Sequence, residues 1–198
     1  MSGSGDISGL ISDTLKLLQR ALVVPDVVAS PLSTNLPPRD LVRPCALLLS
    51  PHPDDECLTG ALPLRLLREE NWQIINVAVT LGSNVDRQMV RCAELAKACT
   101  VLGFEGVLLQ EEGKYPVTPT LRDQSPPAWQ KMVARFCEII TYCRPQAVFL
   151  PHSQDAHPTH MGTHWLGMDA LAKQEKSFSC ALIQTEYWQP YAEPNLMV

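Results

Sequence analysis

The chain has 198 residues, of which 45% are hydrophobic and 19% charged, and a formal net charge of −5. That length suits one domain with a sizeable core, and the composition is that of an ordinary soluble globular protein. Lys and Arg are scattered singly, which argues against a basic patch for nucleic acid or anionic lipid, and no apolar run approaches the roughly 18 residues of a membrane span. The seven cysteines have no Cys-x-x-Cys spacing and read as buried apolar residues of a reducing compartment. The N-terminus lacks the charged start and apolar core of a signal peptide, so the expected location is cytoplasmic.

Residues 1–9 are rich in Gly and Ser. From Leu10 to about Val24, the apolar positions Leu10, Ile11, Leu15, Leu18 and Leu22 recur at helical spacing and predict an amphipathic helix, which packs on the domain or on another subunit. Pro25, Pro31, Pro37, Pro38 and Pro44 make the next stretch an extended connector. Residues 1–43 are therefore expected to be an appendage and 44–198 the domain.

Strand and helix patterns then alternate. Strand 45–50 leads to helix 57–70, with Leu58, Leu62, Leu66 and Leu67 on one face and an unexplained Pro63 inside it. Strand 74–80 precedes helix 86–102, whose apolar face holds Met89, Val90, Ala93, Ala96 and Leu102 and which Gly103 stops. Strand 106–110 runs into a polar, Pro-rich loop over 111–127. Helix 128–143, strand 146–150, helix 161–175 and strand 179–188 complete the pattern. Repeated β-α-β units imply right-handed crossovers and a Rossmann-like three-layer α/β/α domain with a mostly parallel sheet. The apolar end Leu196-Met197-Val198 suggests either burial or a missing C-terminal portion.

Two stretches carry the chemistry. Ser50-Pro51-His52-Pro53-Asp54-Asp55-Glu56 follows the apolar run Ala46-Leu47-Leu48-Leu49, and Pro151-His152-Ser153-Gln154-Asp155-Ala156-His157-Pro158-Thr159-His160 follows Ala147-Val148-Phe149-Leu150. All five histidines lie in these stretches or within four residues of them. A strand that ends in such a cluster presents it at the carboxyl edge of a sheet, where α/β proteins keep their sites. A catalytic zinc takes three protein ligands, commonly two His and a carboxylate, and keeps a position for water. His52, either Asp54 or Asp55, and one histidine of the second stretch supply such a set, and the other carboxylate is free to act as general base. A further histidine can protonate the leaving group or stabilise an oxyanion.

The signatures at 50–56 and 157–160 resemble those of the LmbE/PIG-L family of zinc-dependent N-acetylglucosamine-type deacetylases. The resemblance covers roughly residues 44–190 and includes an Arg-x-x-Glu helix at Arg91 and Glu94. It implies that His52, Asp55 and His160 hold the metal, that Asp54 is the general base, and that His157 is the oxyanion stabiliser or general acid. Arg91 would touch substrate and Glu112 a sugar hydroxyl. The implied reaction removes an N-acetyl group from an N-acetylglucosamine-type sugar or conjugate, with metal-activated water attacking the amide carbonyl. Zinc is the implied cofactor, with iron or another divalent metal as the alternative. A small amino-sugar substrate is the implied partner, and a homo-oligomer is compatible with the N-terminal helix.

Thr159 stands where the family usually has aspartate, and Asp155 is the residue that can replace it in orienting a histidine. This departure motivates the alternative reading, a metal-binding but weakly active or inactive module. Glu56 is expected either to support the site from behind or to cap the following helix. Tyr187, Trp165 and Trp188 read as core or interface residues.

Overall fold

The computed structural model describes residues 27–111 and 116–194, together with Ser12 and Lys16, both helical. The rest of the predicted N-terminal helix, Glu112 and the apolar end at 196–198 lie outside the described residues. Among the described residues from 27 onward, five strands and six helices follow one another: β1 (Cys45–Ser50), α1 (Asp55–Leu58), α2 (Ala61–Glu70), β2 (Gln73–Ala78), α3 (Val85–Leu102), β3 (Glu105–Leu108), α4 (Pro119–Gln124), α5 (Pro126–Cys143), β4 (Ala147–Pro151), α6 (Pro158–Leu171) and β5 (Ala181–Thr185).

All strand pairs are parallel, in the order β3-β2-β1-β4-β5. Side chains alternate across a strand, and β1 shows the result. Cys45, Leu47 and Leu49 join a core built with α5 and α6 through Trp129, Phe136, Ile140 and Leu166. Ala46 and Leu48 join a second core built with α3 through Leu95 and Cys99, and with α2 through the partly buried Leu62, Leu66 and Leu67. Helices thus cover both faces, which is the three-layer domain that the β-α-β repeat predicted.

The connector is bound to this domain. Leu108 N donates to Ser33 O across the β3 edge (2.9 Å), and Arg39 Nε donates to Cys143 O (2.9 Å) beneath the sheet.

Four local expectations differ from what is observed. The single helix expected over 57–70 is two, α1 and α2, broken at Thr59 and Gly60. A Cβ at Gly60 would lie 2.3 Å from Glu56 O, so the chain turns in close contact with itself there. Pro63 then falls in the first turn of α2, where a missing N–H costs no helical bond. The expected loop 111–127 contains α4, started by the Thr118 hydroxyl, which accepts from Leu121 N, and by Pro119 in the first turn. Helix 161–175 in fact begins at Pro158, with His157 as its cap, so the second signature is a helix start and not a loop before one. Finally, Met89 and Val90, expected on the buried face of α3 together with Ala96, are 80% and 55% exposed, because Leu95 and Cys99 join Ala96 against the sheet; Leu58, expected on a buried face, lies in the short α1 and is 70% exposed. Cys45, Cys99 and Cys143 are buried as expected, but Cys57 is exposed; the described cysteines form no disulfide.

Candidate active site

The order β3-β2-β1-β4-β5 places β1 beside β4 at the point where the sheet reverses its direction of growth. Crossovers leave that point to opposite sides, which opens a crevice at the strands' carboxyl ends. Both clusters are delivered there. His52 follows β1 and His160 lies in α6 after β4, so residues 108 apart in sequence have imidazoles in contact.

The centre is a triangle of Lewis bases. His52 Nδ1 lies 3.3 Å from His160 Nε2 and 3.3 Å from Asp55 Oδ2, and His160 Nε2 lies 3.5 Å from Asp55 Oδ2. Asp55 Oδ2 also accepts from His52 N at 2.8 Å, which locks the carboxylate in place. A tetrahedral ion with ligand bonds of about 2.0–2.1 Å has donors about 3.3–3.4 Å apart, so the triangle has the size of one face of such a site. Two imidazole nitrogens and a carboxylate oxygen turned on one another need a proton or a cation between them. The residues therefore fit a divalent metal ion by chemistry and by spacing. His157 adds a third imidazole, and ligand nitrogens of His52, His157 and His160 all lie within 4.8 Å of one another.

Each side chain is held by its neighbours. His160 is buried, its Nδ1 3.5 Å from Asp155 Oδ1 and without a hydrogen bond. Asp155 Oδ1 accepts from His157 N (2.9 Å) and its Oδ2 from Trp188 N (3.2 Å). Asp155 thus ties together the start of α6 and the segment after β5. His157 Nδ1 accepts from Thr159 N (3.2 Å) and caps the helix, which leaves the proton of the neutral ring on Nε2. Burial pushes the His157 and His160 pKa values below the ordinary histidine range, opposed by Asp55 and Asp155.

Asp54 differs from Asp55. Its side chain is exposed, and burial of the carboxyl's surroundings, then the Asp55 charge, raise its pKa, against Arg91. Glu56 is buried, and desolvation raises its pKa; its Oε2 accepts from Asp54 N at 2.9 Å. It supports the Asp54 turn from behind and sits inside α1. Arg91 reaches the same turn from α3: its Nη2 donates to Pro53 O (2.6 Å) and lies 3.3 Å from Asp54 Oδ2. A cavity of about 490 Å³ opens beside these groups, lined among others by Asp54, Glu56, Arg87, Arg91 and Glu94.

The family model of PIG-L, the GlcNAc-PI de-N-acetylases, matches residues 47–171, which takes in both clusters. The chain belongs to the PIG-L family. Among solved structures, this PIG-L family member resembles the conserved protein TT1542 from Thermus thermophilus (21% identity, TM-score 0.53, covering 74% of this chain and 68% of that one). It also resembles the N,N'-diacetylchitobiose deacetylase from Pyrococcus horikoshii in complex with the inhibitor MPG (22%, 0.51, 68% and 52%). GalB, the 4-carboxy-2-hydroxymuconate hydratase from Pseudomonas putida, shares the fold as well (14%, 0.54, 73% and 63%). At these identities the likeness is one of fold, and the chain spans about half to two thirds of these proteins' lengths. No curated protein matches the chain by sequence. No helix among the described residues is long and apolar enough to cross a membrane.

In this PIG-L family chain, the structure brings His52, Asp54, Asp55, Glu56, Arg91, Asp155, His157 and His160 to one crevice, while Glu112 lies outside the described residues. Sequence reasoning missed one member of the site. Tyr187 packs its ring edge-on against His160 (4.5 Å between centroids) and shares a hydrogen bond with Thr59 Oγ1 (3.0 Å). Burial pushes its pKa well above the ordinary phenol range. Nothing in its local sequence marks it, because only the return of the chain after β5 puts it there.

Two further histidines serve the frame. His152 Nδ1 accepts from Gln154 N (3.3 Å), so its Nε2 donates to Gln189 O (2.7 Å). His164 Nδ1 donates to Pro151 O (2.9 Å).

Proposed function

We propose that the chain is a metal-dependent N-deacetylase that removes the acetyl group from an N-acetylglucosamine-type sugar or conjugate, with zinc as its metal. One observation carries the reading: His52 Nδ1, Asp55 Oδ2 and His160 Nε2 stand 3.3–3.5 Å apart, with the exposed carboxylate of the adjacent residue, Asp54, beside them. His52, Asp55 and His160 would hold the metal, which when bound lowers the pKa of a water molecule and polarises a carbonyl oxygen.

The chain's own residues do the rest. Asp54, with a pKa raised by partial desolvation, accepts the proton released as the nucleophile forms, and returns it to the leaving nitrogen. The amide C–N bond breaks, and the products are acetate and the free amine. His157 presents an Nε2–H from a neutral ring, since its Nδ1 is occupied as the α6 cap. That is the donor an oxyanion needs as negative charge develops, and it favours the oxyanion role over general acid. Asp155 substitutes for the family's aspartate at position 159: it faces His160 Nδ1 and fixes the His157 backbone. On this reading Thr159 does not disable the site, and the weakly active alternative is disfavoured.

The test measures metal content and acetate release from N,N'-diacetylchitobiose by the full chain, with and without chelator. Stoichiometric zinc and chelator-sensitive acetate release are expected. A metal-free chain, or turnover indifferent to chelator, overturns the mechanism. Because GalB, a hydratase, shares the fold, the same samples are assayed for water addition to its kind of unsaturated acid; activity there alone would move the chain to that reaction.

A further inference from the structure

We infer that Arg91 is a latch on the Pro53–Asp54 turn, a positioning residue for the Asp54 carboxylate. The inference rests on the reading of Asp54 as the base. Three separate observations carry it.

The first is where the guanidinium is bound. Arg91 Nη2 donates to Pro53 O at 2.6 Å and lies 3.3 Å from Asp54 Oδ2. A backbone carbonyl and the carboxylate one residue later are held by one nitrogen, so their relative position is set.

The second is the backbone of Asp54. It sits at φ 117°, ψ −25°, a left-handed conformation in which a side chain's Cβ is crowded. Such a residue persists only where its surroundings over-determine it. Here they do: Glu56 Oε2 accepts the Asp54 N–H (2.9 Å) on one side, and Arg91 grips the preceding carbonyl on the other.

The third is Gly82. A Cβ at this residue, which has φ 85°, would lie 2.5 Å from Arg91 Nη1, so the guanidinium crosses bare backbone on its way to the turn. The path exists because position 82 has no side chain. Arg91 is three-quarters covered while Asp54 is 69% exposed, so the latch is largely covered and the carboxylate it holds stays open to solvent.

Steady-state kinetics on N,N'-diacetylchitobiose with the zinc-loaded full chain reads the latch directly. Arg91→Ala is expected to lower kcat about 10- to 100-fold, since a misplaced base slows the chemical step itself. Added guanidinium ion is expected to restore part of the lost kcat, and Gly82→Ala to reproduce the loss with Arg91 intact. A rise in KM at unchanged kcat would leave Arg91 with substrate binding alone and overturn the inference. Thermal melting supplies a readout independent of activity. Asp54→Ala and Asp54→Gly lose the same carboxylate, but only glycine relieves the crowded backbone that the latch enforces, so the gain in Tm of Gly over Ala at position 54 is expected to be about 2–4 °C larger with Arg91 present than in Arg91→Ala. The chain entropy of glycine cancels in that difference. Equal effects in both backgrounds overturn the latch. Full kcat in Asp54→Asn would instead remove the base assignment, and the melting comparison would still decide what Arg91 does.

Discussion

Asp155 is the residue whose removal tests the most of this site at once. It is fully buried, and its two oxygens accept from the backbone N–H groups of His157 (2.9 Å) and Trp188 (3.2 Å). Asp155→Ala would leave both donors without an acceptor, at about 1–3 kcal/mol each, or about 2–6 kcal/mol together. That is a large part of a typical domain's stability of about 5–15 kcal/mol. Asp155→Asn is the sharper probe. Its amide has one accepting oxygen and turns an NH₂ toward one of the two donors, so the expected cost is about 1–3 kcal/mol, read by urea unfolding. The same change replaces the carboxylate 3.5 Å from His160 Nδ1 by a neutral group, which should weaken metal binding about 10- to 100-fold in calorimetric titration with cobalt or zinc. Wild-type metal affinity in a variant that has lost the expected stability would reduce Asp155 to a tether. Wild-type behaviour in both assays would refute the reasoning.

The other expectations concern packing, metal and pH. Gly162→Ala would put a Cβ 2.3 Å from Val117 O, a backbone atom that cannot swing aside, so α6 must shift. A loss of about 1–3 kcal/mol is expected in urea unfolding. Zinc bound to the folded state alone should raise Tm, by the equivalent of about 2.7 kcal/mol at a hundredfold excess over Kd, and chelator should reverse it. Tyr187→Phe keeps the ring against His160 and loses only the Thr59 bond, whereas Tyr187→Ala frees the imidazole; calorimetry should show weaker metal binding in the second and little change in the first. His164 is buried with its pKa lowered by desolvation. The folded state resists its protonation, so its contribution is complete above the ordinary value of 6.5 and is lost as pH falls through that value toward the folded one. Melting of the metal-free chain should therefore fall below pH 6.5, less steeply in His164→Gln, and a flat profile in both would contradict the buried neutral ring.

Much of this architecture was legible in the residue order. The five apolar strand runs and the helical spacing between them specify an α/β sandwich, because side chains with periods of 2 and 3.6 bury only in those elements. The Gly103 stop was readable too, since a residue without a Cβ adopts the left-handed cap most easily. So was the sharing of one site by the His52 and His160 stretches, as each follows an apolar strand. What was misread is informative in the same terms. Met89 and Val90 fit a helical face by spacing, but the face that packs is chosen by where α3 meets the sheet.

Residue types and their spacing in the chain were enough for the class of fold, and the two His/Asp signatures for the family. Only the tertiary structure decided their geometry: which nitrogen of each imidazole faces inward, that Arg91 grips the Asp54 turn, that His157 caps a helix, and that Tyr187 closes the wall beside His160. Donor chemistry is a property of a side chain and travels with the sequence. Orientation at the scale of 3 Å arises from contacts between segments over a hundred residues apart, and no local pattern encodes it.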